Sequence, residues 1–221
     1  MVWNTWFVTG ADSPLGIEIV RQGLAKGHHV VATDSGSTTV MRSFGNVSEG
    51  RLLTLPLDET DAGQVASAFG AAVERFGGID VLVHGAALCR PKSAYALSPQ
   101  RQPLSSSVRS LFNVTRAAIA AMRGQCAGRI HHLLPAPNAG LEQFPFSIAG
   151  FCRAVAADVA PLGIEVSAVT LHEVLRLLCT TSEHEPNQLQ RRVRRDRHRS
   201  PCMQCTKAQR TRDQLRFPAK V

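Results

Sequence analysis

Six short apolar runs, separated by longer amphipathic or turn-rich stretches, constrain this chain more than any other feature. They cover residues 3–8, 28–33, 51–57, 79–84, 129–134 and 164–170, and are rich in Val, Ile and Leu without clean polar–apolar alternation. Runs of that kind suit strands buried on both faces of a parallel sheet. Between them, Val65, Ala68, Phe69, Ala72, Val73 and Phe76 recur at helical spacing behind Asp61, a residue type that caps helix N-termini. Val108, Leu111, Phe112, Thr115, Ala118, Ile119 and Met122 form a second stripe, and Ile17, Val20 and Leu24 a third. Parallel neighbours need crossover connections, so the pattern predicts a doubly wound α/β sheet with helices on both faces.

At 221 residues one domain is expected, and 44% hydrophobic with 19% charged residues exclude a mainly disordered or collagen-like chain. No apolar run is long enough to span a membrane. The N-terminus enters its first apolar run without a basic region before it, so no secretory leader is expected and a cytoplasmic protein is the plain reading. The net charge of +8 is unevenly placed: residues 186–221 carry eleven basic and two acidic side chains, the rest fourteen and fifteen. The basic character therefore belongs to the end of the chain and says nothing about what the body binds.

The regular pattern stops near Val174. Residues 183–221 have clustered arginines, few apolar residues and no periodicity, a composition that cannot offset its ordering entropy, and are expected to form a basic tail of low order. Residues 1–182 form the domain. The arginines at 191–199 lack interleaved aromatics, which predicts weak polyanion binding and no specific nucleic-acid role. Cys202 and Cys205, with His198 upstream, supply at most half a zinc site, so no metal is expected. The scattered cysteines of the body read as reduced thiols.

Chemistry is concentrated where the first strand ends. Thr9-Gly10-Ala11-Asp12-Ser13-Pro14-Leu15-Gly16 follows a strand and opens a helix. Gly10 permits a tight turn, Gly16 lets the helix lie close to the strand, and Pro14 suits a first helical turn. Such a turn presents backbone N–H groups and a positive helix end to a pyrophosphate. Asp34, 24 residues beyond Gly10, ends the second run. A carboxylate there can hold both ribose hydroxyls of an adenosine and repel a 2′-phosphate, favouring NAD over NADP.

Asn4-Thr5-Trp6-Phe7-Val8-Thr9-Gly10, Gly77-Gly78-Ile79-Asp80-Val81-Leu82-Val83, Gly128-Arg129-Ile130 and residues 156–166 resemble, in order, the short-chain dehydrogenase/reductase family. The resemblance runs over about residues 4–174 and implies a Rossmann-type sheet with a nicotinamide dinucleotide site. It implies that Thr9, Gly10, Ser13, Leu15 and Gly16 line the pyrophosphate, Asp34 holds the ribose, and Asp58 lies beside the adenine. It also assigns His84, Gly85 and Ala86 to the cofactor edge, where the family carries Asn-Asn-Ala-Gly and this chain has His84-Gly85-Ala86-Ala87. Homo-oligomers built through helices of the body are implied too, weakened here because one of those helices is the one that lacks the catalytic pair.

The family's catalytic set does not match. Pro135 stands at the serine position and Ser107 at that of the supporting asparagine. The tyrosine position falls on Ile148 counting forward from Pro135, or on Leu141 counting back from Pro161, which implies a deletion through that helix. Tyr95 is the only tyrosine, and none of Lys26, Lys92, Lys207 and Lys220 lies nearby. Leu171-His172 replaces the Pro-Gly after the sixth strand. His131, His132 and His172 could approach the carboxyl edge of the sheet, with at most one of the adjacent pair on any one face. Satisfied structural histidines are the plainer reading, Glu142 and Glu173 are no more specific, and no catalytic residue is assigned.

The expected function is a dinucleotide-binding protein of oxidoreductase ancestry that has lost ordinary hydride transfer. Two other functions fit the same residues: an active oxidoreductase on an alcohol or carbonyl with substitute catalytic groups, or a scaffold with a basic interaction arm. The abrupt change of composition near residue 183, where the family continues into a last strand and substrate-covering helices, is what a shifted reading frame or alternative exon would produce.

Overall fold

The computed structural model describes residues 4–34, 44, 50–85, 104–134, 144–170, 172–174 and 176. Six parallel strands are ordered β3-β2-β1-β4-β5-β6. They are β1 (Thr5–Thr9), β2 (His29–Asp34), β3 (Leu52–Pro56), β4 (Val81–His84), β5 (Gly128–Leu133) and β6 (Ile164–Val169). Among the described residues four α-helices are interspersed with them: α1 (Pro14–Ala25), α2 (Ala62–Phe76), α3 (Leu104–Arg123) and α4 (Phe144–Val159). This is the doubly wound sheet that the pattern predicts, and its strand order reverses between β1 and β4. The crevice outside the carboxyl ends of those two strands is where such sheets bind ligands.

The strand ends fall within two residues of the sequence reading. β1 begins at Thr5 and runs through Thr9, and β2 runs through Asp34. Both polar residues stay in the ladder because a parallel neighbour pairs with them: Thr9 opposes Thr33, and Asp34 opposes Pro56. Apolar side chains do not mark that boundary, because backbone pairing continues past the apolar run.

Alternation along each strand divides the core into two layers. Trp6, Val8, Val30, Ala32, Val81 and Val83 pack with Ile19 and Val20 of α1. Phe7, Val31, Leu82 and Ile130 face the other way, onto Val65 and Phe69 of α2 and Val114, Ala118 and Met122 of α3. Phe7 is fully buried and stacks on Phe69 at 4.1 Å, a burial that contributes about 2–3 kcal/mol.

Asp61 caps α2 as expected, accepting from the N–H groups of Gly63 at 2.7 Å and Gln64 at 3.0 Å. At its far end Gly77 takes φ 78°, where a side chain would be strained. The inward stripe of α3 is corrected at two positions, since Val108 is exposed and Phe112 is 56% exposed. Ser110, off the stripe, is buried because its hydroxyl has a partner inside, and Thr115 is buried as the stripe predicts. In α1, Ile19 is buried where the sequence reading used Ile17 and Leu24, which are only half-buried. Among the described residues no helix is long and apolar enough to cross a membrane.

Candidate functional site

The turn after β1 is built by glycine and a serine cap. Gly10 has φ 65°, and Ser13 is the N-cap of α1, with Pro14 in its first turn. The Ser13 hydroxyl donates to Gly10 O at 2.8 Å and accepts from Gly16 N at 3.0 Å. A Cβ on Gly16 would lie 2.3 Å from Gly10 O and 2.6 Å from Ala11 Cα, so only glycine allows the helix to approach this closely. The Ser13 N–H is taken by Gly10 O at 3.1 Å, and proline has no N–H. Leu15 is thus the first-turn residue whose N–H lacks an intrahelical acceptor, at the positive end of the helix.

Backbone bonds string the remaining predicted residues along the same edge. Ala11 N donates to Thr33 O at 2.9 Å and Leu57 N to Asp34 O at 2.8 Å. Asp34 therefore ends β2 beside the glycine turn, 8% exposed. Asp58 is exposed, and its Oδ1 accepts from Thr60 N at 2.9 Å and from the Thr60 hydroxyl at 2.7 Å. One of its oxygens thereby shapes the turn into α2. Gly85 has φ 93° and its N–H donates to Thr9 Oγ1 at 3.2 Å. Ala86 lies outside the described residues. The hydroxyls of Thr9 and Ser13 are committed inside the protein, so what these two bring to the edge is position and backbone.

Beneath this edge lies a polar cluster that the sequence reading saw only in part. His84 and His132 are register partners on β4 and β5, with Nδ1 atoms 2.9 Å apart and ring planes at 84°. His84 Nε2 lies 3.0 Å from Glu59 Oε2 and 2.9 Å from Ser110 Oγ. The Ser110 hydroxyl donates to the same Glu59 oxygen. His132 Nε2 lies 3.1 Å from Thr115 Oγ1, whose proton goes to Leu111 O at 2.6 Å. Asn113 Nδ2 donates to the carbonyls of Glu59 at 3.2 Å and Thr60 at 3.0 Å, tying the Glu59 loop to α3.

Burial raises the Glu59 pKa, but the His84 hydrogen bond and charge and the hydroxyls of Ser110 and Thr9 outweigh it and hold the carboxyl below its usual range. Burial, then the charges of His84 and His131, depress His132 well below the ordinary histidine value. Glu59 and Ser110 were missed because nothing local marks them. Glu59 reads as part of the polar turn before α2 and Ser110 as helix surface, while Thr115 lies on the inward stripe without a role of its own. The available signal was two histidines ending adjacent strands, which together require a partner.

The other candidates are structural. His131 turns away from His132, and its Nδ1 lies 2.8 Å from Ser167 Oγ on β6. Burial and the Arg129 charge lower its pKa to about 4. Glu173 caps the turn after β6, its carboxylate accepting from Thr170 N at 2.6 Å and the Thr170 hydroxyl at 2.8 Å. His172 is exposed in that turn. Ile148 is 2% exposed and packs with Leu111 and Cys152. Cys152, four residues further along α4, has its thiol pushed up to about 11 by burial. Pro135, Leu141, Glu142, Leu171 and the cysteine pair at 202 and 205 lie outside the described residues. Among the described residues no group of His, Cys, Asp and Glu could hold a metal ion.

A parallel sheet ordered 3-2-1-4-5-6, with a glycine turn at its reversal point, defines a Rossmann-type α/β protein. The short chain dehydrogenase family model matches residues 4–134, and the chain belongs to that family. It is 32% identical over 179 residues to the 2-(R)-hydroxypropyl-CoM dehydrogenase of Xanthobacter autotrophicus, covering 73% of this chain and 71% of that one. To oxidoreductase BOA17 of Botryotinia fuckeliana it is 24% identical over 173 residues, covering 74% of this chain and 63% of the relative. The match thus leaves over a third of that relative's length without a counterpart here. Among solved structures, a 3-ketoacyl-(acyl-carrier-protein) reductase of Brucella melitensis complexed with NADH superposes with a TM-score of 0.60 at 22% identity, covering 76% of this chain and 74% of that one.

Proposed function

We propose that the body, residues 1–182, binds a nicotinamide dinucleotide, NAD in preference to NADP, and has lost the serine–tyrosine–lysine route of hydride transfer. The observation that carries this is the close packing of Gly16 on Gly10, with the Leu15 N–H left at the helix end and Asp34 beside it. That arrangement fits a pyrophosphate with an adenosine ribose beside it. Gly10, Leu15 and Gly16 would hold the pyrophosphate, Asp34 the ribose hydroxyls, Asp58 the adenine side, and His84, Gly85 and Ala86 the edge beyond β4. Thr9 and Ser13 would support the loop through their internal bonds.

A bound nicotinamide supplies or accepts a hydride, which leaves the protein to move one proton at the substrate oxygen. The register that counts forward from Pro135 puts an apolar Ile148 and a protonated Cys152 at the tyrosine and lysine positions, which supports loss of that proton path. Residues 183–221 stand apart from the body by composition and would add at most salt-sensitive contacts to polyanions.

The test is a fluorescence titration of the full chain with NADH and NADPH, followed by turnover on a panel of secondary alcohols and ketones. Saturable NADH binding, about tenfold or more tighter than NADPH and with that preference removed by Asp34→Asn, is expected. Equal or tighter NADPH binding would overturn the preference. No binding by folded protein would leave a scaffold. Steady turnover would establish the active-oxidoreductase reading instead.

A further inference from the structure

We infer that His84 is held as a buried imidazolium between the Glu59 carboxylate and a neutral His132, and that this pair positions Thr9 and Gly85 at the dinucleotide rim. Hydrogen-bond accounting leads there from the inside outward. Thr115 has one hydroxyl proton, and Leu111 O takes it at 2.6 Å. The Thr115 oxygen therefore accepts from Nε2–H of His132, 3.1 Å away. His132, buried and without a carboxylate beside it among the described residues, stays neutral, so its Nδ1 is a bare lone pair. That lone pair accepts Nδ1–H of His84 at 2.9 Å.

On its other side, among the described residues, His84 Nε2 meets only acceptors. Glu59 Oε2 is 3.0 Å away, and Ser110 Oγ, at 2.9 Å, has given its own proton to the same carboxylate. A bare Nε2 would set lone pair against lone pair. Both ring nitrogens of His84 must then be donors, which is the charged form. Its side chain is 4% exposed and that of Glu59 23%, so the pair lies under the edge and opens to it through the carboxylate.

The pair reaches the rim through one residue. The Thr9 hydroxyl bonds Glu59 and accepts the Gly85 N–H at 3.2 Å. Glu59 also carries Ser110, and the Asn113 amide fixes its loop to α3. The ends of β1, β4 and β5 and the loop after β3 are thus drawn to one charge. A buried ion pair contributes little net stability but is costly to break from one side, which suits it to holding one arrangement over others. The positioning half of the inference rests on the dinucleotide reading above; the charge state of His84 does not.

Two measurements on the full chain decide it. In a long-range proton–nitrogen spectrum of protein labelled with nitrogen-15 histidine at pH 7.5, one ring should show two protonated nitrogens. That ring should vanish in His84→Gln and revert to one bare nitrogen in Glu59→Gln. A bare nitrogen on His84 in the unaltered chain would overturn the charge state. In NADH titrations, Glu59→Gln should raise Kd about tenfold with the fold retained, while His131→Asn, facing away, should leave it unchanged. Unchanged affinity in Glu59→Gln would overturn the positioning role. If Glu59→Gln does not fold, Ser110→Ala removes one bond to the carboxylate and should raise Kd about threefold, with no rise overturning that role. If the unaltered chain binds no NADH, the dinucleotide reading fails and the positioning half with it, while the spectrum still decides the charge state.

Discussion

At the carboxyl edge of the sheet the buried side-chain polar atoms of Thr9, Ser13, His84, Ser110 and His132 all have partners, drawn from four strand ends or loops and two helix segments. At the amino edge, Trp6 Nε1, Lys26 Nζ and both ring nitrogens of His28 are buried without a hydrogen-bond partner among the described residues. His28 lies almost flat on Trp6, ring centroids 5.7 Å apart, as an apolar residue would. Burial, then the Lys26 charge, lowers its pKa and keeps it neutral. The same side-chain type therefore has opposite energetic roles at the two edges. A histidine in a closed network destabilises the fold when its partners are removed, whereas a histidine with no partner carries an uncompensated desolvation cost.

The comparison can be broken most severely at the glycine turn. Gly16→Val should cost about 3 kcal/mol or more and abolish NADH binding, because the new side chain meets backbone that cannot move aside. A wild-type melting temperature would show that this edge is not close-packed. Next, Glu59→Ala should cost about 2–3 kcal/mol in urea unfolding, below the usual penalty for a broken buried pair because Glu59 keeps 23% of its side chain exposed. An effect under 0.5 kcal/mol, within the range of an ordinary surface change, would mean that the network holds nothing.

Acid separates the groups further. Glu59 is depressed on folding, so its contribution is present above its unfolded value of 4.5 and is lost as pH falls through the lower folded value. On the acid side, the stability difference between the unaltered chain and Glu59→Gln should thus narrow as pH falls below 4.5. His131 acts higher. Its pKa falls from 6.5 to about 4 on folding, so below pH 6.5 the unfolded chain gains a proton that the folded chain refuses. The slope approaches 1.4 kcal/mol per pH unit, about 2–3 kcal/mol lost by pH 4, and His131→Asn should flatten it. An unchanged acid limb in that variant would assign the loss to other groups. The smallest effect is a gain: His28→Phe keeps the stack on Trp6, removes two orphaned nitrogens, and should stabilise by about 1 kcal/mol in urea unfolding. Destabilisation there would show that the amino edge is satisfied after all.

Much of this was legible in the residues. The six apolar runs became six parallel strands because a sheet covered on both faces needs no alternation. Ser13, Pro14 and Gly16 announced a helix start, since capping and close approach are local properties of a few consecutive residues. Reading failed where burial depends on partners from afar. Val108 and Phe112 sit at helical spacing with the core positions of α3 yet are exposed, while Ser110, off that stripe, is buried because Glu59 receives it. Glu173, by sequence an unspecific carboxylate after the sixth run, is a cap, because Thr170 precedes it by three residues.

Sequence by itself determined the fold class, the strand order's starting turn and the family, because periodicity, glycine and capping chemistry act over neighbouring residues. Only the tertiary structure decided what the histidines do. Residues 59, 84, 110 and 132 meet through strand register and a helix crossover, and the state of a titratable group depends on the atoms around it, which no spacing along the chain records.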